Sequence, residues 1–229
     1  MTVETLARMI DHTCLKASAG KTDIEKLCRE AELYGFASVC VNSNRVKDAY
    51  FFLHNKSVKI CAVAGFPLGA MSTESKAFEA AQAVNDGADE IDMVISVGHA
   101  KEKDWTYVEH DIQNVIDACT AEAGKKNKTC LVKVILETCY LSNEEIIEAS
   151  LCAKRAGAHF LKTSTGFGTG GALEEHVHLM REIAGTSMGV KASGGIKTLE
   201  SAFKMINAGA NRLGLSSGID IIKELSAAR

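Results

Sequence analysis

At 229 residues, 46% of them hydrophobic, the chain is long enough to bury a sizeable core and short enough that one domain, residues 1–229, is expected. A formal net charge of -3 without runs of like charge argues against nucleic acid or a membrane surface as partner, and nowhere do about 18 apolar residues run uninterrupted. Glu4 and Arg8 break up the opening segment, so it does not read as a signal-peptide core; a cytoplasmic protein handling a small molecule is expected.

In chain order, a short N-terminal helix precedes eight short apolar, β-branched runs that alternate with longer amphipathic stretches. The runs are 11–15, 37–41, 58–64, 90–95, 129–137, 159–162, 188–192 and 211–215. Capping boxes pairing Thr22 with Glu25 and Ser142 with Glu145 mark two helix starts. Gly35, Gly87, Gly157 and Gly209 each close a helical pattern just before a strand, where a left-handed residue is wanted. Three of them continue in kind, as GADEID, GAHFLK and GANRLG, so the chain repeats weakly at the helix-to-strand junction. Strands alternating with helices pair in parallel, and eight such units suit a closed (β/α)₈ TIM barrel of the α/β class. No linker interrupts the pattern, and the one proline, Pro67, lies in the loop-like GFPLGA.

Aligning the repeats on their glycines places Cys40, Asp92, Lys162 and Gly214 each five residues further on. Side chains alternate along a strand, so equal offsets imply equal facing and similar height. Pointing inward near the strand ends, Asp92 and Lys162 would stand where barrel enzymes place their chemistry. Pointing outward, they would be lone charges pressed against helices, a costly arrangement.

Three lysines occupy apolar strand contexts: Lys133 in CLVKVILET, Lys162 in HFLKTSTG and Lys191 in MGVKASGG. A buried amine beside another ammonium titrates lower, which supplies the neutral nucleophile that attack on a carbonyl requires; Lys162 and Lys191 come from adjacent strands. Lys133 shares its strand with Glu137 at an even offset and fits either a supporting ion pair or direct contact with substrate. Imine chemistry also needs a proton-transfer group, and Asp92 is the best-placed carboxylate. Glu90 shares its facing at a lower level, Asp89 is expected in the solvated junction, and Asp11 suits the strand bottom or a substrate-orienting role.

The ligand's other end is expected in the loops after the seventh and eighth strands. There Ser193, Gly194 and Gly195, and then Ser216, Ser217 and Gly218, precede helices and could cradle a phosphate. Tight turns with ordinary caps would look alike. The glycine-rich TSTGFGTGG, with Thr163 and Gly166 as candidate substrate contacts, could close over the ligand. The eight cysteines form no CxxC pair and read as reduced buried hydrophobes, and no HExxH occurs, so neither a protein-bound metal nor another cofactor is expected.

These motifs, IDHTCL, CVN, VAGFPLGA, GADEIDMV, VKVILET, LKTSTGFGTGGA and VKASGGI, resemble in order and over nearly the whole chain those of the deoxyribose-phosphate aldolase family. The resemblance implies a class I, metal-independent enzyme of deoxyribonucleotide catabolism. It would cleave 2-deoxy-D-ribose 5-phosphate reversibly to acetaldehyde and D-glyceraldehyde 3-phosphate. It further implies Lys162 as the Schiff-base lysine, Asp92 as the proton-transferring aspartate, and Lys191 as its assisting lysine. Cys40 would line the substrate pocket, and Gly194, Gly195, Ser216 and Ser217 would bind phosphate. Two departures stand out. Ser43 replaces a proline frequent in relatives, which would loosen the second strand-to-helix loop, and the segment ending at Arg229 lacks the terminal tyrosine some members use, leaving enamine protonation to Asp92, Lys191 and water. A homodimer is the expected assembly. The alternatives are a phosphosugar isomerase or lyase with Asp92 as general base and Lys162 as an anchor, and a barrel that only binds phosphosugars.

Overall fold

The structure, a computed structural model, describes residues 1–228. Its eight strands are β1 (Ile10–Cys14), β2 (Ser38–Val41), β3 (Lys59–Ala64), β4 (Glu90–Val94), β5 (Leu131–Ile135), β6 (Phe160–Lys162), β7 (Gly189–Ser193) and β8 (Arg212–Leu215). All pair in parallel in sequence order, and β8 returns to β1 through Ile10↔Leu213, closing the barrel. The helices are α1 (Val3–Ala7), α2 (Lys21–Tyr34), α3 (Val46–Leu53), α4 (Thr73–Asp86), α5 (Val97–Lys101), α6 (Trp105–Gly124), α7 (Asn143–Arg155), α8 (Glu174–Ala184), α9 (Leu199–Asn207) and α10 (Gly218–Ala227).

All eight expected strands form, with ends that move by a residue or two. The largest trim is in β5, which stops at Ile135. Glu137 then adopts a left-handed conformation (φ 56°), so strand alternation never reaches it and it does not share the facing of Lys133. Gly35, Gly87, Gly157 and Gly209 all have positive φ, as their junction role requires. The Ser142–Glu145 capping box is present. The Thr22–Glu25 box is not: α2 begins two residues earlier than that pairing implies, with Gly20 as cap and Asp23 accepting its N–H at 2.8 Å. Ser43 does not loosen its loop either, because its hydroxyl donates to Glu79 at 2.7 Å and the same carboxylate accepts the Gly65 N–H at 2.8 Å. Asp89 is half-buried rather than solvated and accepts the Ile60 N–H at 3.0 Å.

The outer strand faces and the inner helix faces form one apolar core in which Ile24, Val39, Ile91, Ile112, Val134, Ile146 and Leu213 are among the fully buried side chains. One ionic pair lies within this layer: Lys76 of α4 reaches Asp111 of α6 at 2.5 Å, both side chains fully buried, with Thr73 donating to the same carboxylate at 3.0 Å. The barrel interior is different in character. The register Asp92↔Lys133, Ile135↔Lys162, Lys162↔Lys191, Ser193↔Gly214, Asp11↔Gly214 and Thr13↔Cys40 assigns the inward positions strand by strand. Alternate strands then contribute to common layers. Ser38, Glu90, Phe160 and Arg212 form one layer, Asp11, Cys61, Lys133 and Lys191 the next, and Cys40, Asp92, Lys162 and Gly214 the one above. The four residues at equal offset from the repeat glycines therefore share one inward layer.

Candidate active site

The interior layers hold a connected ionic cluster centred on Asp92. Its Oδ2 accepts from Lys162 at 2.7 Å and Lys191 at 2.6 Å, and its Oδ1 accepts from Lys133 at 2.8 Å and the Cys61 thiol at 3.1 Å. Below it, Lys133 reaches Glu90 at 2.5 Å, Lys191 reaches Asp11 at 2.5 Å, and Arg212 binds Asp11 and Glu90. Four cations thus meet three carboxylates, a surplus of one positive charge that release of a single proton would cancel.

The environment separates these groups by charge state. Burial pushes the Asp92 carboxyl up, but Lys133, Lys162 and Lys191 outweigh it and hold the group well below the usual carboxylate range. Asp11 is likewise held low, burial being overcome by Lys191 and Arg212. Burial alone would lower Lys133 and Lys191, yet Asp92 and Glu90 around the first, and Asp11 and Asp92 around the second, keep both ammoniums above the ordinary lysine value. The like-charge depression expected for neighbouring lysines is therefore overridden at Lys191, because carboxylates stand between the amines.

Above the cluster opens a cavity of about 440 Å³, well suited to a small molecule. Of the seven charged groups, Lys162 lines this cavity, at the end of β6; the other six lie beneath its floor. Gly166, Gly194, Gly195, Lys197 and Ser216 also form part of the cavity wall. Gly194 and Gly195 have φ of 85° and 79°, and a Cβ on Gly171 would fall 2.3 Å from the Gly194 carbonyl oxygen, so these loops interlock backbone to backbone. Ser217 caps α10, whose free amides sit next to Ser216 at the cavity wall. The Ser193–Gly195 loop is not itself a helix start: Thr198 caps α9, three residues beyond.

Other expected contacts lie outside the cavity lining. Cys40 packs with Leu15, Cys61 and Val63 under the floor. Lys133 is wholly enclosed in the ionic cluster, the supporting arrangement of the two left open for it. Thr163 exchanges hydrogen bonds with the Ser193 backbone at 3.1 and 3.2 Å, tying β6 to β7. Ser217 donates to the Ile196 carbonyl at 3.0 Å. Asp11 takes the strand-bottom position. Arg212 was missed, although it stands two residues before Gly214 and the same alternation places it inward. Lys197, directly after GGI, is exposed and reads in the sequence as an ordinary loop lysine. Arg229 and its terminal position lie outside the described residues.

Cys40, Cys61 and Asp92 bring their ligand atoms within 4.8 Å of one another, the donor set of a soft cation. Three lysine ammoniums already pair with Asp92, so a divalent ion there would meet strong repulsion.

The family described as DeoC/LacD family aldolase matches residues 5–224. The deoxyribose-phosphate aldolase of Thermococcus kodakarensis is 55% identical over 225 residues, covering 97% of this chain and 98% of that one. The one from Clostridium kluyveri is 54% identical, covering 98% and 100%. Among solved structures, the deoxyribose phosphate aldolase of Aeropyrum pernix, described as a tetramer, superposes with a TM-score of 0.89 at 31% identity, covering 100% of this chain and 94% of that one.

Proposed function

The chain belongs to the DeoC/LacD family of aldolases, and we propose that it acts as a deoxyribose-phosphate aldolase in which Lys162 forms the imine with substrate. It reversibly cleaves 2-deoxy-D-ribose 5-phosphate to acetaldehyde and D-glyceraldehyde 3-phosphate, as one barrel domain, in deoxyribonucleotide catabolism. The observation that carries the mechanism is the placement of Lys162, the member of the ionic cluster that borders the cavity, with Asp92 at 2.7 Å.

Once its ammonium has released the proton that balances the cluster, the amine of Lys162 attacks the aldehyde carbon of the open-chain sugar, and the carbinolamine loses water to give a protonated imine. The C3 hydroxyl proton passes through cavity water to the Asp92 carboxylate, from which it later returns to the enamine carbon, and the C2–C3 bond breaks. Its electrons flow into the imine to leave an enamine on Lys162, and D-glyceraldehyde 3-phosphate departs. Protonation of the enamine carbon and hydrolysis release acetaldehyde and regenerate the amine. Asp92, held as a carboxylate, orients the Lys162 nitrogen and accepts protons from it. Lys191, enclosed beneath, acts through Asp92 and stabilises its charge. The phosphate rests against Gly166, Gly194, Gly195 and Ser216, where backbone amides and the α10 terminus meet an anion, with Lys197 supplying a positive charge.

The protein works as a cytoplasmic homodimer. Leu33, Phe51 and Phe78, exposed on the successive helices α2, α3 and α4, give apolar surface for a second copy, and sedimentation velocity reads the assembly. No helix among the described residues is long and apolar enough to cross a membrane.

The test of mechanism is intact mass after borohydride with 2-deoxyribose 5-phosphate. Wild type should carry one reduced adduct mapping to Lys162, absent from Lys162→Ala and Lys162→Arg. An active wild type without adduct, or an adduct on Lys133 or Lys191, would overturn the role given to Lys162. The first outcome would favour Asp92 acting as base in an isomerase or lyase.

A further inference from the structure

Glu137 belongs to none of the steps above, yet it is 2% exposed and holds a left-handed backbone that few residues other than glycine adopt (φ 56°, ψ 60°). Its carboxylate accepts the Thr165 N–H at 3.2 and 3.3 Å through its two oxygens and also accepts the Thr165 hydroxyl. The Thr165 oxygen in turn accepts the Phe167 N–H at 3.0 Å. Beside this, the Thr138 N–H donates to the Thr163 carbonyl at 3.0 Å, so the β5 loop grips the β6 loop on both sides of Ser164. There is no room for slack, since a Cβ on Gly168 would meet the Glu137 carboxyl carbon at 3.2 Å and the Cys139 sulfur at 2.8 Å.

What hangs from this carboxylate is the cavity wall. Thr165, Gly166 and Phe167 all line the cavity, and Gly166 abuts Gly194, whose carbonyl accepts the Ala172 N–H at 3.0 Å. Phe167 packs edge-on against Phe66 of the β3 loop, 5.3 Å between ring centroids, so two loops from well-separated strands meet over the barrel mouth. A glycine-rich loop has little conformational preference of its own. Its position must come from outside, and the strongest hydrogen bonds it makes among the described residues run to a charged acceptor.

We propose that Glu137 is a positioning residue for the phosphate end of the substrate, fixing Thr165 and thereby setting Gly166 against Gly194 in the anion-binding wall. It touches neither Lys162 nor Asp92, so it acts on grip of the phosphate and not on imine chemistry. The inference rests on the phosphate wall assigned under the proposed function, and the experiment separates failure of one from failure of the other.

The measurement compares 2-deoxyribose 5-phosphate with unphosphorylated 2-deoxyribose on wild type and Glu137→Gln. The glutamine keeps the size but cannot accept both Thr165 donors as an anion does. KM for the phosphorylated sugar should rise about tenfold with kcat within about twofold, and kcat/KM for the unphosphorylated sugar should stay within about twofold. Thr165→Val should reproduce the rise, and Thr165→Ser, which keeps the hydroxyl, should retain the wild-type KM; this pair decides the matter should Glu137→Gln fold poorly. Equal losses on both sugars, or an unchanged KM in Glu137→Gln and Thr165→Val, would overturn the inference. A wild type that does not prefer the phosphorylated sugar would instead overturn the phosphate wall itself.

Discussion

Asp11→Asn should destabilise the fold more than Lys191→Met, although the two side chains are partners at 2.5 Å and both are fully buried. The reason is the charge count inside the barrel. Four cations face three carboxylates, so removing Asp11 leaves four against two and strips a partner from both Lys191 and Arg212. Removing Lys191 leaves three against three, and Asp11 and Asp92 each keep a cation, Arg212 for the first and Lys133 with Lys162 for the second. Breaking a buried pair so that an uncompensated charge remains costs about 3–5 kcal/mol. A volume-conserving change that leaves the remaining charges balanced costs about 1–3 kcal/mol. At roughly 2–4 °C per kcal/mol for a chain of this size, Asp11→Asn should lower Tm by roughly 6–20 °C and Lys191→Met by roughly half as much or less. Thermal unfolding followed by circular dichroism at pH 7 reads both, with a urea series to check the order at one temperature. A Lys191→Met protein that melts at or below the temperature of Asp11→Asn would refute the charge-count reasoning.

Acid should unfold the protein through the same cluster. Asp11 and Asp92 are held below the ordinary carboxylate value in the folded state, so the unfolded chain binds more protons as pH falls. Their stabilisation is fully present above about pH 4, the unfolded value, and is lost below it as pH falls toward the folded ones. The urea midpoint should therefore drop between pH 5 and pH 3, less steeply in Asp11→Asn, and a flat wild-type midpoint across that interval would contradict the assignment. Gly214→Ala should cut kcat by roughly tenfold or more, because the added Cβ would stand 2.9 Å from both Lys191 Cε and Ser193 Cβ. Lys191, held between Asp11 and Asp92, can make room only by letting go of Asp92, so steady-state kinetics showing full activity in Gly214→Ala would mean that the layer tolerates repacking.

The barrel was legible in this sequence because its signals are local. Each strand is an apolar run, four of them follow a junction glycine, and that glycine sets a ruler along which Asp92 and Lys162 fall at the same mark. The register needed to place Lys191 and Lys133 one layer lower is not local; it follows from the stagger of a closed sheet, which links residues far apart in sequence. The true placement of Glu137 was illegible for a related reason. On paper it continues a strand in VKVILET, and only the left-handed turn after Leu136 swings its carboxylate to Thr165. Lys76 and Asp111 give no signal in the sequence, since nothing in either helix announces that the two face each other inside the α4–α6 contact. The Thr22–Glu25 pattern misled because a glycine N-cap two residues earlier competed for the same helix start and won, with Asp23 supplying the acceptor.

Why the nucleophile should be Lys162, and not Lys133 or Lys191, is a question of height. All three amines reach the same carboxylate, so proximity to Asp92 does not choose between them. Lys133 and Lys191 start from odd-numbered strands one layer down and rise to meet Asp92, and each is also drawn to a lower carboxylate, Glu90 or Asp11. Lys162 starts level with Asp92, ends a three-residue strand, and has the cavity above it. The fourth corner of that layer is Gly214, whose missing side chain leaves the passage through which Lys191 climbs. A larger residue there would force Lys191 down onto Asp11 alone, and Asp92 would lose one of the cations that keep it anionic. The glycine that looked least chemical of the four aligned positions is thus what lets one layer hold a cavity-bordering amine and its carboxylate while a second ammonium supports them from below.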